Sequence, residues 1–104
     1  MGFFSYLLGT DTLTGKLSHT EHYLGKDEVF LLVSTAKVKS LNNRERDVIR
    51  ELILKRRFGD GKISVYQIDE VLRQAEHEHL IGKYDRQGVV RAIDEYFKRQ
   101  FLDI

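Results

Sequence analysis

The 104-residue chain contains no cysteine and no proline. The absence of cysteine excludes disulfide bonds, thiol catalysis and thiolate zinc sites. The absence of proline favours long, uninterrupted helices, because proline is the residue that most strongly breaks them. No charge of one sign dominates, since 17 Lys and Arg residues accompany 16 Asp and Glu residues. A polyanion binder held by bulk positive charge is therefore disfavoured, although a local basic patch is compatible with this composition.

The chain also lacks a long hydrophobic run. Its most apolar stretch, residues 1–9, is far shorter than the ~20 residues that a membrane-spanning helix needs. We therefore expect a cytoplasmic protein without a transmembrane segment. We expect residues 1–9 to form a short helix that docks on the domain or on a second copy of the chain. Its large apolar side chains are the first candidates for contact with a partner: Phe3, Phe4, Tyr6, Leu7 and Leu8.

The length and a hydrophobic share of 41% fit one small globular domain, residues 1–104. Within it, residues 1–9 form the apolar N-terminal segment and residues 10–26 are rich in loop-forming residues. Residues 27–104 carry helical periodicity and form the expected helical core. The predicted fold is an all-α, compact bundle of four main helices plus the short N-terminal helix, with a central helix-loop-helix.

Three of the four main helices are predicted from polar start signals. Asn42 with Glu45, and Ser64 with Gln67, have the spacing of a capping box, in which each side chain bonds the other residue's backbone N–H. Asp85 is predicted to cap the last helix, with Tyr84 and Val89 as a hydrophobic staple. The helices predicted from these signals cover residues 44–57, 65–78 and 85–100.

The element at residues 27–39 is harder to assign. Its β-branched residues suit a buried strand, whereas its length, and a helical spacing of apolar residues, favour a helix. We predict a helix that is capped by Asp27 and has Lys37 and Lys39 in its last turn. The apolar side chains predicted to face inward are Val29, Phe30, Leu32, Val33 and Ala36.

The segment Asp60-Gly61-Lys62-Ile63-Ser64, followed by Gln67, resembles the second half of an EF-hand loop and the helix that leaves it. The order of elements over residues 27–80 is also similar to that of TerB-like helical domains. Calcium requires several oxygen ligands, but Arg56 and Gln67 stand at the first and last ligand positions of the EF-hand-like loop. The resemblance therefore implies a degenerate, metal-free helix-loop-helix, and we expect Lys62–Ser64 to contribute a short β-bridge.

Two alternatives remain open. The last two helices have the order of a helix-turn-helix, as in winged-helix DNA-binding proteins. In that arrangement the final helix presents its candidate contacts to DNA, since Arg and Gln read base edges. These candidates are Arg86, Gln87, Arg91 and Lys98.

The second alternative is a metal site built from histidines. The four histidines form two pairs beside glutamates, a possible zinc or nickel arrangement if the two segments meet. The pairs are His19 with His22 and His77 with His79.

Catalysis has little support in the sequence. No serine lies in a nucleophile elbow, and no phosphate-binding glycine loop follows a predicted strand. The adjacent carboxylates Asp69/Glu70 and Asp94/Glu95 diverge on their helices, and we interpret them as solvated charge. We therefore predict a protein that is not an enzyme and needs no cofactor: a non-catalytic protein-protein interaction or adaptor module that binds a protein partner or forms a homo-oligomer.

Overall fold

Four helices form most of the chain in the computed structural model, which describes residues 17–101. This confirms the predicted all-α fold with four main helices. The predicted N-terminal helix lies outside the described residues. The helices are α1 (Lys26–Thr35), α2 (Asn43–Arg56), α3 (Val65–His77) and α4 (Lys83–Phe101).

Helices α2 and α3 both begin with the predicted capping boxes. The Glu45 N–H donates to Asn42 Oδ1 at 2.8 Å, and the Asn42 N–H donates to Glu45 Oε1 at 3.0 Å. The Gln67 N–H donates to Ser64 Oγ at 3.1 Å, and the Ser64 N–H donates to Gln67 Oε1 at 2.9 Å. Each box satisfies two backbone N–H groups that would otherwise lack a partner at the start of the helix.

Helix α4 begins at Lys83, two residues earlier than predicted. Asp85 therefore lies in the first turn, and the prediction that it stands before the helix is wrong. Its carboxylate nevertheless bonds the start of the helix, because Oδ2 accepts the Gly82 N–H at 2.8 Å and Oδ1 accepts the Ser40 hydroxyl at 2.5 Å. Tyr84 is 71% exposed and does not form the predicted staple.

The ambiguous element is a helix, α1, but its ends differ from those predicted. Gly25 precedes the helix and makes no side-chain cap, so Asp27 lies in the first turn and not at the cap. The helix ends at Thr35, which leaves Lys37 and Lys39 in the connector to α2. The Arg46 side chain of α2 donates to the backbone carbonyls of Val33 and Ala36 at this end. A side chain of the next helix thus supplies the cation that favours a helix C-terminus.

A two-stranded antiparallel sheet lies beside the helices. Strand β1 (His22–Tyr23) belongs to the segment predicted as loop-rich, and it pairs with β2 (Lys62–Ile63), where a bridge was predicted. The turn before β2 needs Gly61, whose φ is +83° and whose hypothetical Cβ would lie 2.7 Å from the Tyr23 ring. Only glycine combines this left-handed backbone with so close a neighbour.

All four helices contribute to one core. The fully buried side chains include pairs one turn apart on each helix, as amphipathic helices require. They are Val29 and Val33 on α1, Ile49 and Ile53 on α2, Ile68 and Leu72 on α3, and Val89 and Ile93 on α4. Leu17 and Leu24, which precede α1, join the same core. Within residues 17–101, no helix combines the length and the hydropathy that crossing a membrane requires.

Candidate functional site

Helix α1 presents apolar side chains on two opposite faces. Five consecutive residues, 29–33, are apolar, and at ~100° per residue five positions surround the helix axis. Val29 and Val33 are fully buried, whereas Phe30 is 56% and Leu31 is 61% exposed. A helix that is apolar all round is normally covered on all sides. Residues 17–101 cover only one face of α1.

A cleft of about 200 Å³ opens between α1 and α2 beside Phe30. The Arg50 guanidinium lies 4.3 Å from the centroid of the Phe30 ring, a cation–π contact. Arg50 is held in place by a hydrogen bond to Ser34 Oγ at 3.2 Å and by an ion pair with Asp47. Apolar parts of Val29 and Leu54 and the charged residues Lys26 and Glu51 complete the lining. We call Phe30, Leu31 and this cleft the Phe30 surface.

The Phe30 surface combines apolar and charged side chains. Exposed apolar side chains stand at its centre, and charged side chains of both signs stand around the cleft. Protein-protein interfaces in general also combine an apolar centre with a polar rim. Aromatic and arginine side chains are the residue types that contribute most to such interfaces.

The prediction that Phe30 faces inward is wrong. Val29, Phe30 and Val33 all fit a helical spacing, but the space between α1 and its neighbours admits only Val29 and Val33. A signal was present in the sequence, because five apolar residues in a row exceed what one helix face can bury.

Two of the residues proposed to contact DNA are buried. Arg86 is 4% exposed and Gln87 is 7% exposed. Arg86 donates through Nη1 to Asp69 Oδ1 and through Nε to Glu76 Oε1, both at 2.7 Å. The predicted outward position of Arg86 and Gln87 is therefore wrong, and so is the prediction that Asp69 is solvated. Spacing along one helix gave no sign of an ion pair between α3 and α4.

The other two residues of that group are exposed on α4. Lys98 Nζ lies 3.0 Å from Asp94 Oδ2, one turn earlier on the same helix. Arg91 lines a cavity between α4 and the connector that follows α1. Of the four predicted contacts, Arg91 and Lys98 alone are in a position to meet a ligand.

The four histidines make no metal cluster. The His22 ring stacks on Phe101 with centroids 4.1 Å apart, and the His19 ring stacks on Tyr66 at the same distance. His77 ends α3, and His79 has a φ of 63° in the following turn. In the described part of the chain, no three His, Asp or Glu side chains come together as metal ligands. The predicted meeting of the two histidine pairs at one ion is not found there.

The residue at the closing position of the EF-hand-like loop is engaged within the protein. Gln67 Oε1 accepts the Ser64 N–H, and Gln67 Nε2 donates to Glu21 Oε2 at 3.0 Å. The first bond belongs to the capping box of α3, and the second joins the start of α3 to the segment before β1. The Gln67 side chain is therefore bonded within the protein at the position where an EF-hand would have its last calcium ligand.

The pKa of the Tyr96 phenol is shifted. Burial against the protein raises the pKa of the Tyr96 phenol above its usual value of 10.0, and the nearby Glu28 carboxylate raises it further. Both effects disfavour the phenolate, so the contact between α1 and α4 contains a neutral phenol at neutral pH.

The first predicted contact residues, Phe3, Phe4, Tyr6, Leu7 and Leu8, lie outside the described residues. Comparisons with protein-family models, with curated proteins and with solved structures give no match to this chain.

Proposed function

We propose that this chain is a non-catalytic, cytoplasmic interaction module that binds a protein partner through the Phe30 surface. The observation that carries the proposal is the outward position of Phe30 and Leu31, side by side on a helix whose opposite face is fully buried. A partner that covered these two side chains, each a little more than half exposed, would gain ~1–2 kcal/mol from each of them.

The surroundings of Phe30 favour a specific contact over a chance one. Arg50 is already stacked on the ring and bonded to Ser34, so little side-chain freedom remains to be lost when a partner binds. The adjoining cleft offers a recess for one side chain of the partner. Lys26, Asp47 and Glu51 supply polar contacts at its edge.

We also propose that the scaffold is a degenerate, metal-free helix-loop-helix of the EF-hand-like or TerB-like kind. The support lies in the pairing of β1 with β2, in the left-handed conformation of Gly61 and in the position of Ile63 in the pairing. In this proposal, the loop orients α2 and α3 without an ion.

The proposal is tested by capturing partners from cell extract with the biotinylated chain. The variant Phe30→Ala/Leu31→Ala is compared with Phe58→Ala/Leu80→Ala, which truncates two exposed apolar side chains elsewhere. We expect the first variant to lose specifically captured proteins by about tenfold and the second to retain them. Sedimentation velocity on both shows whether the partner is a second copy of the chain. Equal capture by the two variants, with circular dichroism unchanged, would contradict the proposal.

Residues 1–8 remain a second predicted contact segment. Deleting them is expected to change the oligomeric state or the captured proteins while leaving the helical signal intact. If the truncated chain loses its helical signal instead, the segment belongs to the core and does not contact a partner.

The two alternatives from the sequence have less support. Arg86 and Gln87 are buried against the protein, which removes half of the predicted DNA contacts. Within residues 17–101, no three side chains form a metal site. We therefore propose neither DNA binding nor metal binding as the function.

A further inference from the structure

A second surface, separate from the Phe30 surface, runs along α4. Two adjoining cavities of about 420 and 380 Å³ lie between α4 and the connector that follows α1. They share Lys37, Gly88 and Arg91, so together they form one groove. We call it the α4 groove.

The groove exists because α1 stops at Thr35 and the connector then lies against α4. Gly88 permits this approach, since a Cβ at that position would overlap the Val38 side chain. The floor is apolar and is formed by Leu32, Ala36 and Ala92. A bound chain would therefore find carbon atoms to pack on as well as charges to pair with.

Four basic side chains border the groove: Lys37 and Lys39 from the connector, and Arg91 and Arg99 from α4. Within residues 17–101, none of the four makes a side-chain hydrogen bond or an ion pair. Two other cations of the described chain differ, since Arg86 pairs with Asp69 and Glu76, and Lys98 pairs with Asp94. The α4 groove thus gathers positive charges that no described carboxylate neutralises by contact.

The spacing on α4 sets the length of a matching ligand. Arg91, Glu95 and Arg99 follow each other at intervals of four residues, so they lie on one helix face. Eight residues of helix rise ~12 Å, which is the length of about four residues in an extended chain. Acidic residues four positions apart in an extended peptide would therefore reach both arginines.

Glu95 distinguishes a peptide from a nucleic acid. Its carboxylate lies between the two arginines and repels any anion placed opposite it. A peptide can place a neutral side chain at that point and its acidic side chains on either side. A nucleic acid carries a phosphate at every step and meets the carboxylate unavoidably. The net charge of +1 adds no wider field to attract a polyanion.

We propose that the α4 groove binds a short, extended, acidic peptide segment of a partner protein. Its carboxylates pair with Arg91 and Arg99, and its apolar side chains lie on the floor. Lys37 and Lys39 face it from the connector. This binding is independent of the Phe30 surface, which lies on the α2 side of α1.

Fluorescence anisotropy with the full chain tests the proposal. The probe is a labelled nine-residue peptide with aspartate at positions 3 and 7 and uncharged residues elsewhere, including leucine at positions 4 and 6, and the reference peptide has asparagine in place of both aspartates. We expect binding of the acidic peptide only, with an affinity that falls as salt increases, because the contacts are exposed ion pairs. A labelled DNA duplex is titrated under the same conditions.

The variant Arg91→Glu/Arg99→Glu is expected to lower the affinity for the acidic peptide by at least about tenfold. Lys55→Glu/Lys62→Glu makes the same change in net charge away from the groove and is expected to retain binding. Glu95→Gln is expected to tighten binding of the acidic peptide.

Loss of binding in both double variants would show a non-specific charge effect and overturn the proposal. If the duplex binds more tightly than the peptide, and Arg91→Glu/Arg99→Glu abolishes that binding, the proposal is overturned in favour of nucleic acid. The absence of binding of any probe would also overturn it. The Phe30 surface is intact in all these variants, so its own test stands apart.

Discussion

Arg86 shows how burial decides the role of a single charged side chain. It is enclosed between α3 and α4 with Asp69, and Glu76 occupies its second edge. Taking both charges out of water costs several kcal/mol, which their attraction and hydrogen bonds only offset. The ion pair therefore fixes how the two helices meet more than it adds to stability.

Removing Arg86 should reveal the free-energy cost of leaving the Asp69 carboxylate buried without it. Arg86→Met leaves Asp69 buried with the half-exposed Arg73 as its remaining described ion-pair partner, 2.6 Å away. We expect a loss of ~3 kcal/mol in the free energy of unfolding, at the lower end for a broken buried pair because Arg73 still compensates in part. Urea denaturation followed by circular dichroism measures it.

The double variant Asp69→Leu/Arg86→Met provides the control. It removes both charges and should recover most of the lost stability, since an apolar pair can replace a buried ion pair at little cost. A single variant within about 0.5 kcal/mol of the wild type would show that Asp69 is hydrated and that the pair matters little.

The residues that were predicted correctly depend on near neighbours in the chain. Asn42 and Ser64 bond residues three positions away, so the pattern contains both partners. Arg86 and Asp69 find each other across two helices, and Phe30 is exposed because of the shape of the neighbouring helices. Spacing along one helix carries no information on the Arg86–Asp69 pair, and the apolar run at residues 29–33 indicates an exposed apolar side chain without showing which one it is.

Gly88 shows that a contact between elements can also decide the sequence of a helix. A glycine inside a helix costs ~1 kcal/mol relative to alanine, and nothing in the sequence explains it. The structure does, because the connector places Val38 where a side chain at position 88 would stand. Packing against α4 also explains why the end of α1 was mispredicted. The helical pattern of the sequence continues past Thr35, but Ala36 adopts an extended conformation and the connector then lies against α4.

Combining substitutions at positions 38 and 88 separates the two effects. Gly88→Ala alone should destabilise the protein by ~1 kcal/mol, because the overlap with Val38 exceeds the gain in helix propensity. In the Val38→Ala background, the same change should stabilise it by up to ~1 kcal/mol. Thermal unfolding of the four proteins gives the coupling. Additive changes would mean that the connector is free to move away from α4.

The core of the whole molecule extends beyond its helices. Leu17 and Leu24 lie in a stretch that composition alone assigns to a loop, yet both are buried. Pairing of β1 with β2 holds this stretch against the loop before α3, and the Leu24 N–H donates to the Gly61 carbonyl at 3.0 Å. The sequence predicted a bridge within Lys62–Ser64, but its partner strand lies some forty residues earlier and leaves no local signal.

Leu24→Ala should therefore destabilise the protein as much as a substitution inside a helix. We expect a loss of ~2–5 kcal/mol in the free energy of unfolding. The same substitution at the exposed Leu80 should cost less than about 0.5 kcal/mol. Guanidinium unfolding of both variants makes the comparison. Similar small losses at the two positions would place residues 17–24 outside the cooperative unit.

Asp69 leaves the ribosome 17 residues ahead of the arginine that neutralises it. Until α4 is synthesised, the carboxylate has the half-exposed Arg73 as its one described ion-pair partner and stays partly hydrated, so the face of α3 that carries it is costly to bury. Helices α1 to α3 can therefore pack only loosely in the nascent chain, and their core is completed when α4 has been synthesised. A stalled or prematurely terminated chain would expose this hydrated, incompletely packed face of α3 to chaperones and proteases.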